Sequence, residues 1–454
     1  MSDGRIRPNA PLSAEKPEEP SMKHKLRAAA GCGAVFAATL AVLYLLLMLA
    51  AILPNDALRD HMEQSALSYR DAEPYAFRSG GRLNDVGDNY ADAIWLNVSW
   101  HMGKGNPALS VLNTRYYDGE AYGENAGLYL SVTQDAPSNT DYTRYWHGSA
   151  MFFRFFHLFL DVGGIKCVGF VTFLLLAALT SLLLLRRGHG DLACLLWLSL
   201  AAVQFWNVRL SLEYQPAFLL AFALCPLVLH FERRGELPLL LLCTAGGTAI
   251  AFFDFLTTET LTLLLPMLLV TAVRAKEGRL GTLREGFGLL GRCGVCWLAA
   301  YTGTFAVKWT AVTLLTGENA FRTALEFAAV RTGTAVPATE LQPSSVFSAV
   351  AANLTALFGG TDRVQPGRAG VGTVLVLLAL GSVWYLFRAK NAQKTAVWML
   401  LTLGAVVFLR YLVLNNHSYL HAFFTYRALL VPIFALLAAL RLNIALPQRK
   451  RRRG

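Results

Sequence analysis

Long apolar runs alternate with short polar connections along most of the chain, at residues 28–53, 162–185, 191–208, 212–231, 239–255, 258–273, 288–315, 370–387, 395–414 and 424–441. A helix of about 20 mostly apolar residues spans the hydrocarbon of a bilayer. The pattern therefore predicts an all-α polytopic membrane protein with about ten transmembrane helices. Two longer polar stretches interrupt it. Residues 54–161 are rich in Tyr, Asn, Asp and Gly and form a long first loop, in which short juxtamembrane helices are expected. Residues 317–369 contain one apolar piece, "SSVFSAVAANLTALFGG" (344–360), which is too short to cross and is expected to be an amphipathic or re-entrant helix. The divisions are a disordered basic tail (1–27), a first span (28–53), the first loop (54–161), six spans within 162–316, the second loop (317–369), three spans within 370–441 and a basic tail (442–454).

The distribution of charge orients these spans. "KHKLR" precedes the first one, and "RRGHGD", "HFERRGE", "RAKEGRLGTLREG", "FRAKNAQK" and the C-terminal tail each carry two or more Lys or Arg. The connections "NVRLSLEYQ", "FDFLTTET" and "NNHSYLHAFF" hold only Arg209. Basic residues stay on the cytoplasmic side, so both termini are expected in the cytoplasm and both long loops on the outer face. The corresponding location is a cell membrane, multi-pass, of bacterial plasma-membrane type.

Composition agrees. The chain is 54% hydrophobic and 16% charged, against about 25% charged in soluble domains. Its net charge of +11 sits in the tails and inner connections and not on a face interleaved with stacking aromatics, so no nucleic-acid partner is expected. The seven cysteines lie in or beside apolar runs, and the Cys293–Cys296 pair lacks a second pair, so they read as packing residues.

The unusual polar residues gather on the outer side. A helix over 84–99 would place Asp85, Asp88 and Asp92 on one face, extended by Trp95 and Ser99. Such carboxylates suit a general base with an orienting or metal-binding partner. The competing reading makes Asp85 an N-cap and gives Asp88 to the helix dipole. In "RYWHG" (144–148), Arg144, Trp146 and His147 are either interfacial anchors or an aromatic platform for a sugar, with Arg144 or His147 on hydroxyls or phosphate. In "FFDFLTTET" the threonines suit capping, whereas Asp254, among phenylalanines, suits substrate binding. In "NNHSYLHAFFTYR", His417 and His421 have zinc-ligand spacing but no HExxH glutamate, so no metal is assigned. Arg427, joined by Arg410, suits phosphate, with headgroup snorkelling as the alternative.

This layout resembles the GT-C superfamily of polytopic glycosyltransferases, which use polyprenyl-phosphate-linked sugars. The resemblance lies in architecture: a cytoplasmic N-terminus, one span, a long outer loop with acids near its start, and many further spans. In motif it rests on "NDVGDNYAD", without the adjacent Asp-Glu or Asp-Asp pair common in that superfamily. It implies a cell-envelope glycosyltransferase with Asp88 as base, or Asp85 in its place, and Asp92 orienting. Arg427 and His421 would hold the lipid phosphate, and Trp146 and His147 the sugar. The implied partners are a lipid-linked sugar donor, a glycan or lipid acceptor and membrane lipids, and a divalent cation at the acidic cluster is the one cofactor the residues admit. The alternatives are a transporter or flippase of lipid-linked glycans, and an O-antigen-type ligase or polymerase.

Overall fold

The computed structural model describes residues 22–335, 341–363, 365–388 and 393–443. The expected tails lie outside these residues, except that residues 22–27 and 442–443 are helical. Each of the ten expected spans coincides with a helix, and the fold is all-α apart from two short strand pairs. Among the described residues five helices are long and apolar enough to cross a membrane: Lys25–Ile52, Val162–Arg186, Gln215–Arg234, Lys394–Val413 and Ala422–Asn443. The helix at 191–208 is shorter than expected. It ends at Ala202 because Gln204 turns to a left-handed φ of 47° and the chain enters a 3-10 turn, Phe205–Leu210. There Asn207 Nδ2 donates to Asn84 O (2.8 Å), tying this turn to the first loop.

Helix Leu237–Phe253 packs between helices Met22–Ile52, Gln215–Phe231 and Leu283–Thr316. Its "GG" step permits this. A Cβ on Gly247 would lie 2.3 Å from Trp297 O and one on Gly246 2.8 Å from Leu224, so small residues let the backbones meet, as membrane helix contacts require. The second loop contributes helix Ala320–Thr332 and a helix of 10 residues, Ser348–Leu357, within the apolar 344–360 piece.

The first loop is a folded layer with its own core. Helices Asn55–Arg70, Asn89–Met102 and Gly123–Thr133 bury Met62, Leu96, Trp100 and Leu128, and Trp100 Nε1 donates to Ser131 O. The end of the first span is pinned by Arg154, which is fully buried; its guanidinium donates to Ala50 O (2.8 Å), Ser99 O (2.7 Å) and Leu53 O.

The helix expected over 84–99 begins at Asn89 instead. Strand Tyr75–Phe77 pairs antiparallel with Val86–Asp88, matching Tyr75 to Asp88, so the backbone ahead of Asn89 is extended. The three acids therefore do not share a helical face. Asp85 sits in the hairpin turn, its carbonyl accepting from Arg78 N, and Asp88 is the N-cap, accepting from Ala91 N (2.9 Å). Asp92 is fully buried and has its own partners. It pairs with Lys166 Nζ (2.6 Å) and accepts from Tyr69 Oη (2.9 Å), Ser211 Oγ (2.5 Å) and Leu212 N (2.8 Å). One carboxylate thus joins the first loop, helix Val162–Arg186 and the segment ahead of helix Gln215–Phe231.

Removing one partner of a buried ion pair costs about 3–5 kcal/mol. Asp92→Asn should therefore lower the thermal unfolding midpoint of the detergent-solubilised protein sharply, and Asp92→Asn with Lys166→Met should recover part of the loss. An Asp92→Asn protein that melts with the wild type would show that the pair does not hold the layers together. Arg154→Leu leaves three carbonyl acceptors without their donor, at about 1–3 kcal/mol for each one that stays buried, and should melt earlier by the same assay.

Candidate functional site

The Asp92 clamp fixes two neighbours. Asp88 stands one turn before Asp92, and Glu213 follows the Ser211–Leu212 pair that Asp92 holds. The two carboxyl groups are both buried and close enough to act on each other's protonation. Burial pushes the Asp88 pKa up to about 7, against which the Glu213 hydrogen bond and the Ala91 N–H act. Burial and the neighbouring Asp88 charge push Glu213 well above the usual range. Two carboxylates in contact cannot both ionise easily, so Glu213 keeps its proton while Asp88 gives up its own as pH rises through about 7.

A cationic end faces them. Arg331 comes from the last turn of helix Ala320–Thr332, which Gly333 closes with a left-handed φ of 84°. Its Nη1 lies 2.5 Å from His417 Nδ1 and 3.3 Å from His421 Nε2. His417 Nε2–H donates to Leu256 O (2.9 Å), so its Nδ1 is the acceptor for Arg331. Burial, with Arg331 second, lowers both imidazoles well below the ordinary histidine range, and Arg363 adds to the shift of His421. Both rings are neutral, and no carboxylate pairs with Arg331 among the described residues.

Both ends line one cavity of about 80 Å³, walled between them by aromatic rings that include Tyr90, Trp95, Tyr142, Tyr145 and Phe255. Three of its lining residues carry a buried polar atom without a partner: Trp95 Nε1, Glu213 Oε1 and His421 Nδ1. Such atoms cost about 1–3 kcal/mol each when left unpaired, and all three belong to residues around this one cavity. Tyr75 and His421 also border a second, more open cavity of about 560 Å³. The chamber can thus take a proton at one end, stabilise an anion at the other and hold a ring between them.

Of the residues expected at a site, Asp88, His417 and His421 line the chamber; the others lie outside its lining. Asp85 is in the hairpin turn and Asp92 is used by its clamp, so the acids do not converge on a cation. Among the described residues no group of three or more His, Cys, Asp or Glu is placed to hold a metal. Trp146 is no sugar platform: it is 2% exposed, stacks on Phe252 at 5.1 Å and donates to Thr304 O. Arg144 and His147 stand behind the aromatic wall. The Arg144 guanidinium lies 4.1 Å from the Tyr142 ring, and His147, with a φ of 56°, donates from Nε2 to Tyr142 O. Asp254 shapes the turn behind Phe255 by accepting from Thr257 N and Oγ1. That turn holds Leu256 at a φ of 66°, where its carbonyl accepts from both His417 and Arg410. Arg410 is neutralised by Glu259 (2.9 Å). Arg427 is 1% exposed beneath Tyr214 at 4.3 Å, and donates to Phe423 O.

Sequence reasoning missed Glu213 and Arg331. Glu213 is the one acid in the outer connection "NVRLSLEYQ", and that isolation was its signal. Arg331 had none, because its partners lie 86 and 90 residues away. No protein-family model, curated protein or solved structure matches this chain.

Proposed function

We propose that this protein is a membrane glycosyltransferase that moves a sugar from a lipid-phosphate donor to a cell-envelope acceptor on the outer face. One observation carries the reading: the Asp88–Glu213 carboxyl pair and the Arg331–His421 cluster line the same aromatic chamber. On this reading all ten helices cross the plasma membrane, both termini are cytoplasmic, and the chamber opens outward. The shorter helices, such as Leu237–Phe253 and Leu261–Lys276, cross within the protein interior, as their burial allows.

The acceptor hydroxyl approaches Asp88. Its proton passes to the carboxyl pair as its oxygen bonds to the anomeric carbon, while the bond from that carbon to the phosphate oxygen breaks and the electron pair leaves with the phosphate. Arg331 faces the charge that develops there, and the neutral His421 bonds a phosphate or sugar hydroxyl. His417 is a positioning residue: its ring bridges the Leu256 carbonyl, bonded by Nε2, and Arg331 Nη1, which Nδ1 accepts. The rings of Tyr90, Trp95 and Tyr145 offer faces to the sugar, and Trp95 Nε1 a donor. A ligase or polymerase of lipid-linked glycans would use the same bond exchange.

Asp88→Asn keeps a capping side chain and removes the base. It should reduce transfer by about 10²–10⁴-fold, read as loss of one sugar from envelope glycans with its lipid-linked donor accumulating. Normal glycans from well-expressed Asp88→Asn protein would sink the proposal. The same assay on Arg331→Gln should show a loss of about 10²–10³-fold.

The raised carboxyl pKa sets a pH dependence. Asp88 becomes a base as pH rises through about 7, so kcat/KM should climb across that range. Stability runs the other way. The folded protein keeps a proton that the unfolded chain releases above its ordinary carboxyl pKa, so stability falls as pH rises from about 4 towards 7. Asp88→Asn removes that penalty, and its melting temperature should equal or exceed that of the wild type at pH 8. A melting point well below wild type there would contradict the assigned protonation.

A further inference from the structure

Arg410 lies buried in the last turn of helix Lys394–Val413 and bonds fixed partners with all three guanidinium nitrogens. Its Nε and Nη2 hold the Glu259 carboxylate (2.9 and 3.0 Å), its Nη1 donates to Ser418 Oγ (2.9 Å) and its Nη2 to Leu256 O (2.5 Å). Leu256 needs such a holder, because a residue with a Cβ keeps a φ of 66° only where its surroundings impose it. Ser418 follows His417 directly, so one guanidinium grips both the segment that carries this histidine and the carbonyl that its ring meets. His417 Nε2 lies 2.9 Å from that carbonyl, and its Nδ1 2.5 Å from Arg331 Nη1. A neutral imidazole has one donor and one acceptor nitrogen. A proton on Nδ1 would set N–H against N–H at one end and a lone pair against a carbonyl at the other, so both ends demand the proton on Nε2. His421 is the reverse case: its Nε2 accepts from the same Nη1 at 3.3 Å, which leaves the proton on Nδ1. Both hydrogens of Nη1 are thereby used, and the Nε and Nη2 of Arg331 bond nothing among the described residues.

We propose that Arg410 is a positioning residue for the cationic end of the chamber: braced by Glu259, it aims the Leu256 carbonyl at His417, fixes the tautomer of that ring, and so leaves Arg331 tethered by Nη1 with its Nε–Nη2 edge spare for an oxyanion. Such an edge offers two parallel N–H groups to a pair of oxygens, and it is aimed only if the remaining nitrogen is tied down. Without the guanidinium, Leu256 can return to an ordinary φ and turn its carbonyl from His417. The ring is then free to take either tautomer, and the Nδ1–H form repels the Arg331 N–H that it now accepts. An ammonium is no substitute, because its three hydrogens sit on one atom, whereas Glu259, Leu256 and Ser418 are reached by three separate nitrogens. Only what Arg331 then acts upon rests on the transfer reading.

Solid-state nitrogen NMR of the full-length protein in lipid bilayers, with isotope-labelled histidine, reads the tautomers directly, and the His417→Asn and His421→Asn spectra assign the signals. In the wild type His417 should carry its proton on Nε2 and His421 on Nδ1. Arg410→Lys should raise the minor tautomer of His417 by about tenfold, the worth of one hydrogen bond. Adding Leu256→Gly should reverse most of that rise, because glycine keeps a positive φ without a holder. Arg331→Gln separates the two ends of the ring. His417 should keep its tautomer there, held by Leu256, while His421, whose Nε2 bonds only Arg331 among the described residues, should populate both. A wild-type His417 protonated on Nδ1 overturns the assignment, as does an Arg410→Lys protein whose His417 tautomer is unaltered. A double variant with no recovery removes the Leu256 carbonyl from the path and overturns it too. Loss of the His417 tautomer in Arg331→Gln would make Arg331 the group that sets it, and that arm decides even where Arg410→Lys does not fold. The outcome is separable from that of the transfer reading. A tautomer that mixes in Arg410→Lys, together with normal glycans from Asp88→Asn, keeps the positioning and removes the transfer. An unaltered tautomer, together with loss of glycans in Asp88→Asn, does the reverse.

Discussion

The buried carboxylate of Asp92 is the constraint on which the site depends. Moving a carboxylate and an ammonium out of water costs several kcal/mol per ion, recovered only with close pairing and full hydrogen bonding. Asp92 has both, from Lys166, Tyr69, Ser211 and Leu212 N. Because these donors come from three separate parts of the chain, the bonds can form only in one relative placement of the first loop and the helices beneath it. That placement sets Glu213 against Asp88. The carboxyl pair, with its displaced proton affinity, is thus a consequence of the neighbouring ion pair. Two acids four residues apart on one chain have divided the work, one structural and one facing the chamber.

Much of the architecture could be read from the chain because apolar run length and basic connections report directly on helices in lipid. All ten expected runs are helical, and the second loop holds only a short apolar helix where a further span was discounted. The departures have local causes. The 84–99 helix starts late because residues 86–88 are taken by a strand partner at 75–77, and hydrophobic period does not reveal such a pairing. The 191–208 helix ends early at a left-handed glutamine, Gln204, whose Nε2 also reaches Leu357 O (3.5 Å), 153 residues away. Both are contacts between distant parts of the chain.

The site was legible in part for the same reason. Asp88, His417 and His421 stood out as polar residues beside the membrane, and the structure lines the chamber with them. Trp146 and Arg427 had the same signature, yet each is buried against rings, Trp146 on Phe252 and Arg427 on Tyr214. Residue type and membrane side cannot separate an arginine that faces a cavity from one packed under a tyrosine. What separates them is which neighbours arrive from elsewhere: Glu259 silences Arg410, whereas among the described residues Arg331 bonds imidazoles and no carboxylate.

That choice of imidazoles has a kinetic meaning. On the proposed transfer reading, protonated His417 and His421 would put three cations around the departing phosphate and bind donor and product tightly before and after reaction. Tight binding of ground states lowers KM without raising kcat and slows release. Burial and Arg331 keep both rings neutral, so Arg331 is the single full positive charge in the chamber lining. At the opposite end the carboxyl pair holds a single negative charge for the same electrostatic reason, two like charges in contact within low dielectric. The chamber is therefore nearly neutral at rest, with its poles apart. In the proposed transfer, a neutral hydroxyl that gives up its proton at one pole, while a phosphate gains charge at the other, would move charge along that axis. Stabilisation then grows as the reaction proceeds, which is the condition for binding energy to appear in the rate.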